Sequence, residues 1–376
     1  MSIIPCQRHL FDIPDDRAYL DCAKMAPLSH GVMVAGRAGL EAKARPWEIE
    51  ARDFFTESER VRALYARLIG VRASDVAIIP AVSYGLAIVS ANVTLAGGQS
   101  IVLVAEDFPS SVFAARAMAE RDGADVVTVA RPVAGNWTEA VLDAIGEDAG
   151  LVVVPHVHWV CGTRFDLEMI GRRCRAVGAL LVLDTTQSTG ALPLDIAAVD
   201  PDYQIAAGYK WLMGPYSLGF LYVAPRHQGG RPIEQGWITR RGSEDFRRLI
   251  DYSPVMEPDA RRFDMGERSN FALLPAAGAA IEQLIQWGVA DIAETLGAFT
   301  EAIAARLAGR GIEAAPLEAR GPHFLSVRHP EGWPDGIGGA LAEAKVHVSL
   351  RGDRMRITPH LYNHDGDVDR LIAYLP

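Results

Sequence analysis

Residues 208–223 read GYKWLMGPYSLGFLYV, and Lys210 is the only charged residue in this stretch. A lysine in an apolar stretch either extends its amine to solvent or is buried for a chemical purpose, so the rest of the chain has to decide between these two interpretations. The stretch follows YQIAAG (203–208) and continues into FLYVAP (220–225). Both are short apolar runs typical of buried strands, so Lys210 is predicted to lie at the end of a strand.

Similar runs recur through the first part of the chain. Besides the two runs that flank Lys210, the predicted strands are IVLVAED (101–107), DVVTVA (125–130), LVVVPHV (151–157) and LLVLDTT (180–186). Segments with helical spacing separate most of them, and two of these segments end in glycine, as helices often do. Strands without strict alternation that are separated by helices indicate an α/β fold with a mostly parallel sheet covered on both faces.

The pattern changes near residue 256. Two long helical segments, 271–288 and 291–311, are followed by short strand-like pieces and a final helix near residue 367. We therefore predict an N-terminal arm (1–20), a large domain (21–255) and a smaller C-terminal α+β domain (256–376), with the arm packed on the smaller domain. ARPVAGN (130–136) and EPDARR (257–262) are the predicted surface turns.

Composition excludes several classes of function. The chain has 376 residues, of which 49% are hydrophobic and 22% charged, and its net charge of −10 argues against a nucleic-acid or anionic-membrane binder. No apolar run is long enough for a membrane helix, and the first residues do not resemble a signal peptide. The cysteines, at positions 6, 22, 161 and 174, show no paired spacing. We interpret them as free thiols of a reducing compartment, which favours the cytoplasm as the location of the protein.

Three polar residues follow predicted strand ends and fit the needs of one cofactor. Asp184 ends the run LLVLD, Gln187 follows three residues later, and Lys210 follows YQIAAG. In open parallel sheets, ligands bind at the carboxyl ends of the strands. Pyridoxal 5'-phosphate needs a lysine for its imine, an acid for its ring nitrogen and a donor near its ring oxygen. Neither a dinucleotide fingerprint nor a P-loop occurs in the sequence.

The blocks DTTQSTGALPLD (184–195) and AAGYKWLMGPYSLGFLYVAP (206–225) resemble the class V aminotransferase family of fold-type I pyridoxal-phosphate enzymes. This family includes cysteine desulfurases, kynureninases and isopenicillin N epimerase-like proteins. The similarity extends from YLDCAKMAPLS (19–29) to RMRITPHLYN (354–363). It implies a large domain built on a mostly parallel seven-stranded sheet, a smaller C-terminal α+β domain, and a homodimer with a shared active site.

The resemblance also implies roles for individual residues. Lys210 would form the imine with the cofactor and move protons at the substrate carbon, while Asp184 would pair with the pyridine nitrogen and Gln187 would bond near the ring oxygen. Phe108, in EDFPSS, would stack on the pyridine ring. Arg356, in RMRITPH, would bind the α-carboxylate of the substrate, which suits a planar guanidinium.

The phosphate group of the cofactor would meet a helix N-terminus at Val82 and Ser83, whose backbone amides can bind an anion. The Ser-x-His that desulfurases commonly show before the lysine is replaced by Ala207, Gly208 and Tyr209. Tyr209 is expected to replace one of the lost phosphate ligands, as in kynureninase-like members.

Two further positions depart from the desulfurase pattern. Where relatives donate a Gly-Thr segment to the partner subunit's phosphate, this chain has Gly266 and Glu267, and a carboxylate is a poor phosphate ligand. The neighbouring residues 268–270 are the alternatives. The asparagine that desulfurases place near the ring oxygen corresponds to Trp159 or His158, depending on the alignment. No cysteine follows position 174, which argues against persulfide chemistry.

The sequence leaves the reaction open. We expect a small-molecule amino acid as substrate and favour transamination, with a β-lyase acting on a cysteine-like or kynurenine-like substrate, or an epimerase, as alternatives. A non-catalytic member that only binds the cofactor is a further hypothesis, prompted by Ala207 and Glu267. His156, His158 and Cys161 lack the further ligands that a zinc site needs, so no metal is expected.

Overall fold

A computed structural model describes residues 4–132 and 136–376. Residues 133–135 of the turn predicted at ARPVAGN lie outside the described residues. The strands are β1 (Ala18–Tyr19), β2 (Val76–Ile79), β3 (Ser100–Val104), β4 (Asp125–Val129), β5 (Ala149–Pro155), β6 (Leu180–Asp184), β7 (Tyr203–Ala207), β8 (Gly219–Val223), β9 (Glu313–Ala314), β10 (Leu325–Arg328), β11 (Val346–His347), β12 (Ser349–Arg351) and β13 (Arg354–Ile357).

Helices cover both faces of the main sheet and continue into the C-terminal part. They are α1 (His30–Lys43), α2 (Asp53–Ile69), α3 (Val82–Asn92), α4 (Pro109–Asp122), α5 (Trp137–Ala144), α6 (Leu167–Val177), α7 (Ile196–Val199), α8 (Leu273–Trp287), α9 (Val289–Ala308), α10 (Ile337–Glu343) and α11 (Asp365–Ile372). In the part of the chain that the structure describes, no helix is long and apolar enough to cross a membrane.

The main sheet has seven strands in the order β2-β8-β7-β6-β5-β3-β4. The run from β7 to β4 is parallel, whereas β8 is antiparallel to both of its neighbours, β7 and β2. The predicted α/β fold with a mostly parallel sheet is therefore confirmed. The edge strand β2 was not predicted, because its four residues, VAII, are too short to show a periodic pattern.

Burial explains why the central strands are apolar throughout. Every residue of β3, β5, β7 and β8 is buried, and apolar clusters lie on the two faces of the sheet. The edge strand β4 is less buried, with two exposed, two half-buried and one buried residue, as a strand with one free edge can be. The helices on the two faces thus hold the strand ends in a fixed arrangement.

Two smaller sheets lie in the C-terminal part. Strands β12, β13, β10 and β9 form an antiparallel sheet, and β1 pairs with β11 in parallel. One of the short strand-like pieces predicted in this part of the sequence, KVHVSL (345–350), is divided between β11 and β12. Residues 18–19 lie beside β11, and a further bridge joins Asp21 to Thr358, two residues beyond Arg356. The domain boundaries at residues 20 and 255 stay a prediction.

Candidate active site

Lys210 lies three residues beyond the end of β7, in a tight loop that leads back into β8. The amide of Gly208 donates to the carbonyl of Leu218 over 2.8 Å, and a Cβ at Gly208 would lie 2.7 Å from that carbonyl oxygen. Glycine at 208 therefore lets the loop close tightly. Lys210 is only 6% exposed, and this burial lowers its pKa to about 8 against the opposing attraction of Asp184.

The amine of Lys210 faces a cavity of about 420 Å³ at the carboxyl ends of the strands. Its Nζ lies 5.3 Å from the ring centroid of Phe108 and 5.6 Å from that of Tyr209. All of the predicted cofactor-binding residues line this cavity, namely Val82, Ser83, Phe108, Asp184, Gln187, Tyr209 and Lys210. The structure thus brings together residues that are up to 128 positions apart in sequence, the separation of Val82 and Lys210.

Asp184 ends β6 and is buried beside the cavity. Its Oδ1 accepts a hydrogen bond of 2.9 Å from the amide of Thr186. Burial raises the pKa of Asp184, whereas its hydrogen bonds with Thr186 and the charge of Lys210 lower it. A buried carboxylate of this kind needs a cation, and a protonated pyridine nitrogen would supply one.

Gln187 is held at both ends of its carboxamide. Its Nε2 donates to the carbonyl of Ala23 over 3.1 Å, and its Oε1 accepts from Nε1 of Trp211 over 2.9 Å. One amide hydrogen remains available for the cofactor ring oxygen, because a primary amide carries two donors. Trp211 follows Lys210 directly, so this bond also ties the lysine loop to the end of β6.

The N-terminus of α3 opens onto the same cavity. Its N-cap is Ala81, whose side chain cannot accept a hydrogen bond, and the structure records no acceptor for the amides of Val82 and Ser83 among the residues it describes. Helix N-termini normally place Ser, Thr, Asp or Asn at this position. An uncapped N-terminus that opens onto a cavity can bind an anion, and it suits a phosphate group.

Phe108 is the N-cap of α4, and its ring contacts Trp159 edge to face at a centroid distance of 5.6 Å. Trp159 lines the cavity, and its Nε1 donates to the carbonyl of Glu106 over 2.7 Å. His158 points elsewhere: its ring stacks on Trp137 at 5.2 Å, and its Nε2 lies 3.1 Å from the carbonyl of Ala105. Of the two alternatives left open by the sequence, Trp159 is therefore the one at the site.

Arg356 reaches towards the same region from β13 and is almost completely buried. Its Nη1 donates to the carbonyl of Trp159 over 2.9 Å, and its Nη2 lies 3.7 Å from Oδ1 of Asp21. Its Nε is buried without a partner among the described residues. Burial lowers the pKa of Arg356 to about 10. A carboxylate of the substrate could use the donors that the protein leaves free.

Two acidic residues at the site were not predicted from the sequence. The carboxylate of Asp21 lies within 2.9 Å of the hydroxyl of Ser349, and its position beside Arg356 follows from the bridge to Thr358. Asp107 lines the cavity, where burial raises its pKa to about 7 and its Oδ2 has no partner among the described residues. The sequence carried only a weak signal for either residue. Asp21 lies in YLDCAKMAPLS, where the family resemblance begins, and Asp107 directly precedes Phe108 in EDFPSS.

Most side chains of the segment 266–270 already have partners within their own chain, although Nε of Arg268 has none among the described residues. Arg268 binds Asp264, and Ser269 donates to the carbonyl of Phe54. Asn270 accepts from the amides of Ala272 and Leu273 at the start of α8. Each of the three alternatives to Glu267 is thus engaged locally. Tyr209, which lines the cavity with its ring 4.6 Å from that of Tyr216, remains the candidate for the lost ligand.

The arrangement fits pyridoxal phosphate in shape and chemistry. A buried amine, a buried carboxylate, a free amide hydrogen, an aromatic ring and an uncapped helix N-terminus surround one cavity of about 420 Å³. Among the described residues, no group of three or more His, Cys, Asp or Glu side chains could hold a metal ion.

The family model for class V aminotransferases matches residues 19–366. The chain belongs to this family. The family's cofactor is pyridoxal phosphate. The resemblance inferred from the two sequence blocks is therefore confirmed, together with the cofactor.

Curated relatives carry several different names. A kynureninase of Deinococcus radiodurans is 29% identical over 98% of this chain and 91% of its own length. An uncharacterised aminotransferase, YcbU, of Bacillus subtilis is 28% identical over 83% of this chain and 81% of its own length. A probable cysteine desulfurase of Methanothermobacter thermautotrophicus is 28% identical over 62% of this chain and 57% of its own length.

Solved structures share the fold. The cysteine desulfurase of Thermococcus onnurineus superposes with a TM-score of 0.87 at 18% identity, covering 99% of this chain and 98% of its own. The cystine C–S lyase C-DES, solved with its product cysteine persulfide, gives a TM-score of 0.83 at 19% identity, covering 96% and 97%. At these identities the likeness shows the fold alone, which is that of fold-type I enzymes.

Proposed function

We propose that this protein is a pyridoxal-phosphate-dependent β-lyase that acts on a small β-substituted amino acid. The observation that carries the proposal is the buried pair of Lys210 and Asp184 in one cavity, in a family whose relatives include kynureninases and a cysteine desulfurase. Transamination, which the sequence favoured, is not confirmed. The names of these relatives support the lyase alternative.

Pyridoxal phosphate, when bound, withdraws electrons from the α-carbon of an attached amino acid. The protein's part is to place and protonate the reacting groups. Arg356 would bind the α-carboxylate through the donors that Trp159 leaves free, and this contact would set the orientation of the α-carbon bonds. The ring of Phe108 would keep the cofactor flat and exclude water from one face.

Lys210 is the proposed acid and base at the α-carbon. Its amine lies in the cavity, and a pKa of about 8 lets it both accept and donate a proton near neutral pH. Asp184 would keep the ring nitrogen protonated, because a buried carboxylate stabilises a neighbouring positive charge. Cysteine does not occur after position 174, so the proposal contains no persulfide step on the enzyme.

A transaminase is the second candidate, and the relative named YcbU favours it. Single-turnover measurements with a panel of amino acids separate the two reactions. A lyase expels the β-substituent, releases either a keto acid with ammonia or alanine, and leaves the cofactor unchanged, whereas a transaminase accumulates pyridoxamine phosphate and releases a keto acid that keeps the β-substituent, without ammonia. Stoichiometric pyridoxamine phosphate across the panel would overturn the lyase proposal.

The variant Lys210→Ala tests the site itself. We expect it to lose the visible absorption band of the lysine-bound cofactor and to lose at least about a thousandfold in kcat, because both the covalent link and the proton carrier are removed. Lys345→Ala is the matched control, since Lys345 is an exposed lysine paired with Asp16. A band that survives in Lys210→Ala, or that is absent from the wild type, would contradict the assignment.

A further inference from the structure

Positively charged side chains gather around the Arg356 end of the site, although the chain as a whole carries a net charge of −10. We name this group the cationic rim, and its members are Arg17, Lys24, Arg351 and Arg356. β1 pairs with β11, which directly precedes the β12 strand of Arg351, and Asp21 bridges to Thr358, two residues after Arg356. Residues 17–24 therefore pass close to the points where the chain enters β12 and leaves β13. A concentration of one charge at a cleft attracts ligands of the opposite charge.

Arg351 and Arg356 flank the same aromatic ring. The guanidinium carbon of each lies 5.7 Å from the ring centroid of Trp159, which lines the Lys210 cavity. Both guanidinium groups also act on Lys210, where their charges help to lower its pKa. Arg351 and Arg356 therefore lie beside the same aromatic side chain of the cavity wall.

Most of the rim has no acidic partner within the described part of the chain. No described carboxylate lies within 4.0 Å of Arg17, Lys24 or Arg351, and the one described side-chain bond of Arg351 goes to the carbonyl of Leu350 over 2.7 Å. Asp21 lies beside Arg356 and balances one charge. The carboxylate of Asp21 also interacts with Lys24 and Arg351. With an α-carboxylate on Arg356, two negative charges would face the four positive charges of the rim, which would keep an excess of positive charge.

We propose that the cationic rim selects amino acids whose side chain carries a second carboxylate, with Arg351 binding that group while Arg356 binds the α-carboxylate. This inference rests on the proposed function only for the role of Arg356. It names a substrate class, the acidic amino acids and their β-substituted derivatives. The half-buried position of Arg351 beside Trp159 would strengthen the contact relative to a fully solvated ion pair.

Calorimetric titration of the holoenzyme with glutarate and butyrate tests the inference, because neither compound has an amino group that could react. In the wild type we expect glutarate to bind about tenfold more tightly than butyrate. In Arg351→Gln the two should bind within about twofold of each other, with butyrate unchanged, whereas Arg356→Gln should weaken both about tenfold. Raising the salt concentration should reduce the preference for glutarate.

Arg354→Gln is the matched control, because Arg354 lies directly opposite Arg351 on the same hairpin and borders a different cavity. It should bind both compounds as the wild type does. Equal binding of glutarate and butyrate by the wild type, or a preference that survives Arg351→Gln, would overturn the inference. The absorption band of the lysine-bound cofactor is recorded on the same samples. Its absence would contradict the proposed function, whereas the relative affinity for glutarate and butyrate tests the cationic rim.

Discussion

At the scale of single residues, the proposed chemistry depends on the lowered pKa of Lys210. Burial at 6% exposure disfavours the ammonium form, and Asp184 offsets only part of that penalty. The neighbours Gly208 and Trp211 keep the lysine in place, the first by allowing a close turn and the second through its bond to Gln187. A pKa of about 8 suits the imine formation and proton transfer that we propose for this amine.

A consequence is a pH-dependent stability of the cofactor-free protein. The folded pKa of Lys210 is about 8 and its ordinary value is 10.5, so the unfolded chain binds more protons between these values and stability rises with pH across that window. At pH 7, Lys210→Met should be more stable than the wild type by up to about 3 kcal/mol, and this difference should shrink as the pH rises from 8 to 10.

Denaturant unfolding of the two cofactor-free proteins at several pH values measures this difference. Groups that do not interact with Lys210 titrate in both proteins, so their effects cancel in the comparison. A difference in the free energy of unfolding that stays constant from pH 7 to pH 10 would show that Lys210 is not held in the low-dielectric environment described here.

At the scale of elements, the open N-terminus of α3 is the feature most specific to phosphate binding. Ala81 caps the helix without a side-chain hydrogen bond, which leaves the first amides for a ligand. Asp184, at the carboxyl end of β6, and Lys210, which follows the carboxyl end of β7, line the same cavity. In the proposed site, backbone amides would bind the phosphate group, and side chains would bind the ring.

The variant Val82→Pro removes one of these amides with little cost to the helix. Proline is favoured at the first helical position, and Ala81 already has the extended conformation that a residue before proline needs. We expect the Kd for pyridoxal phosphate to rise about tenfold, the loss of roughly one charge-assisted hydrogen bond. Val82→Ala keeps the amide and is the control. Fluorescence titration of the cofactor-free protein measures both.

The thermal unfolding midpoint of the cofactor-free Val82→Pro protein should stay within a few degrees of the wild type. A normal midpoint together with an unchanged Kd would exclude the amide of Val82 as a phosphate ligand. A large fall in the midpoint would instead show that the substitution disturbs α3, and Val82→Ala would then separate packing from hydrogen bonding.

At the scale of the whole molecule, an exposed apolar surface supports the prediction of a homodimer. Trp47, Ile250 and Tyr252 are 78%, 75% and 86% exposed, which is unusual for large apolar side chains. An aromatic cluster of Phe54 and Trp237 lies beside the segment 266–270. A partner subunit seated on this surface would cover the apolar side chains and bring its own residues near that segment.

The substitution Ile250→Glu should weaken this association. A charge buried at an interface without a partner is costly, so we expect the dimer dissociation constant to rise at least about tenfold. Sedimentation velocity at several protein concentrations measures it, with Tyr374→Glu as a control at a distant exposed aromatic residue. A wild type that sediments as a monomer at working concentration would contradict the dimer, and an unaffected Ile250→Glu dimer would move the interface elsewhere.

Local pattern was sufficient for the main sheet and for the centre of the site. Apolar runs mark buried strands wherever they are long enough, and residues that follow such runs share one edge of a parallel sheet. Lys210, Asp184 and Gln187 could therefore be predicted as neighbours from their positions in the sequence. The exception was β2, whose four residues are too few to carry a pattern.

Contacts between distant segments were decided only by the tertiary structure. The sequence could not choose between His158 and Trp159, because the choice depends on which ring the turn after β5 directs towards Phe108. It also could not place Asp21 beside Arg356, 335 positions away, since a strand pairing with no local signal brings them together. Sequence by itself thus determined the cofactor and the residues at the strand ends, whereas packing between remote segments decided how the substrate end of the site is charged.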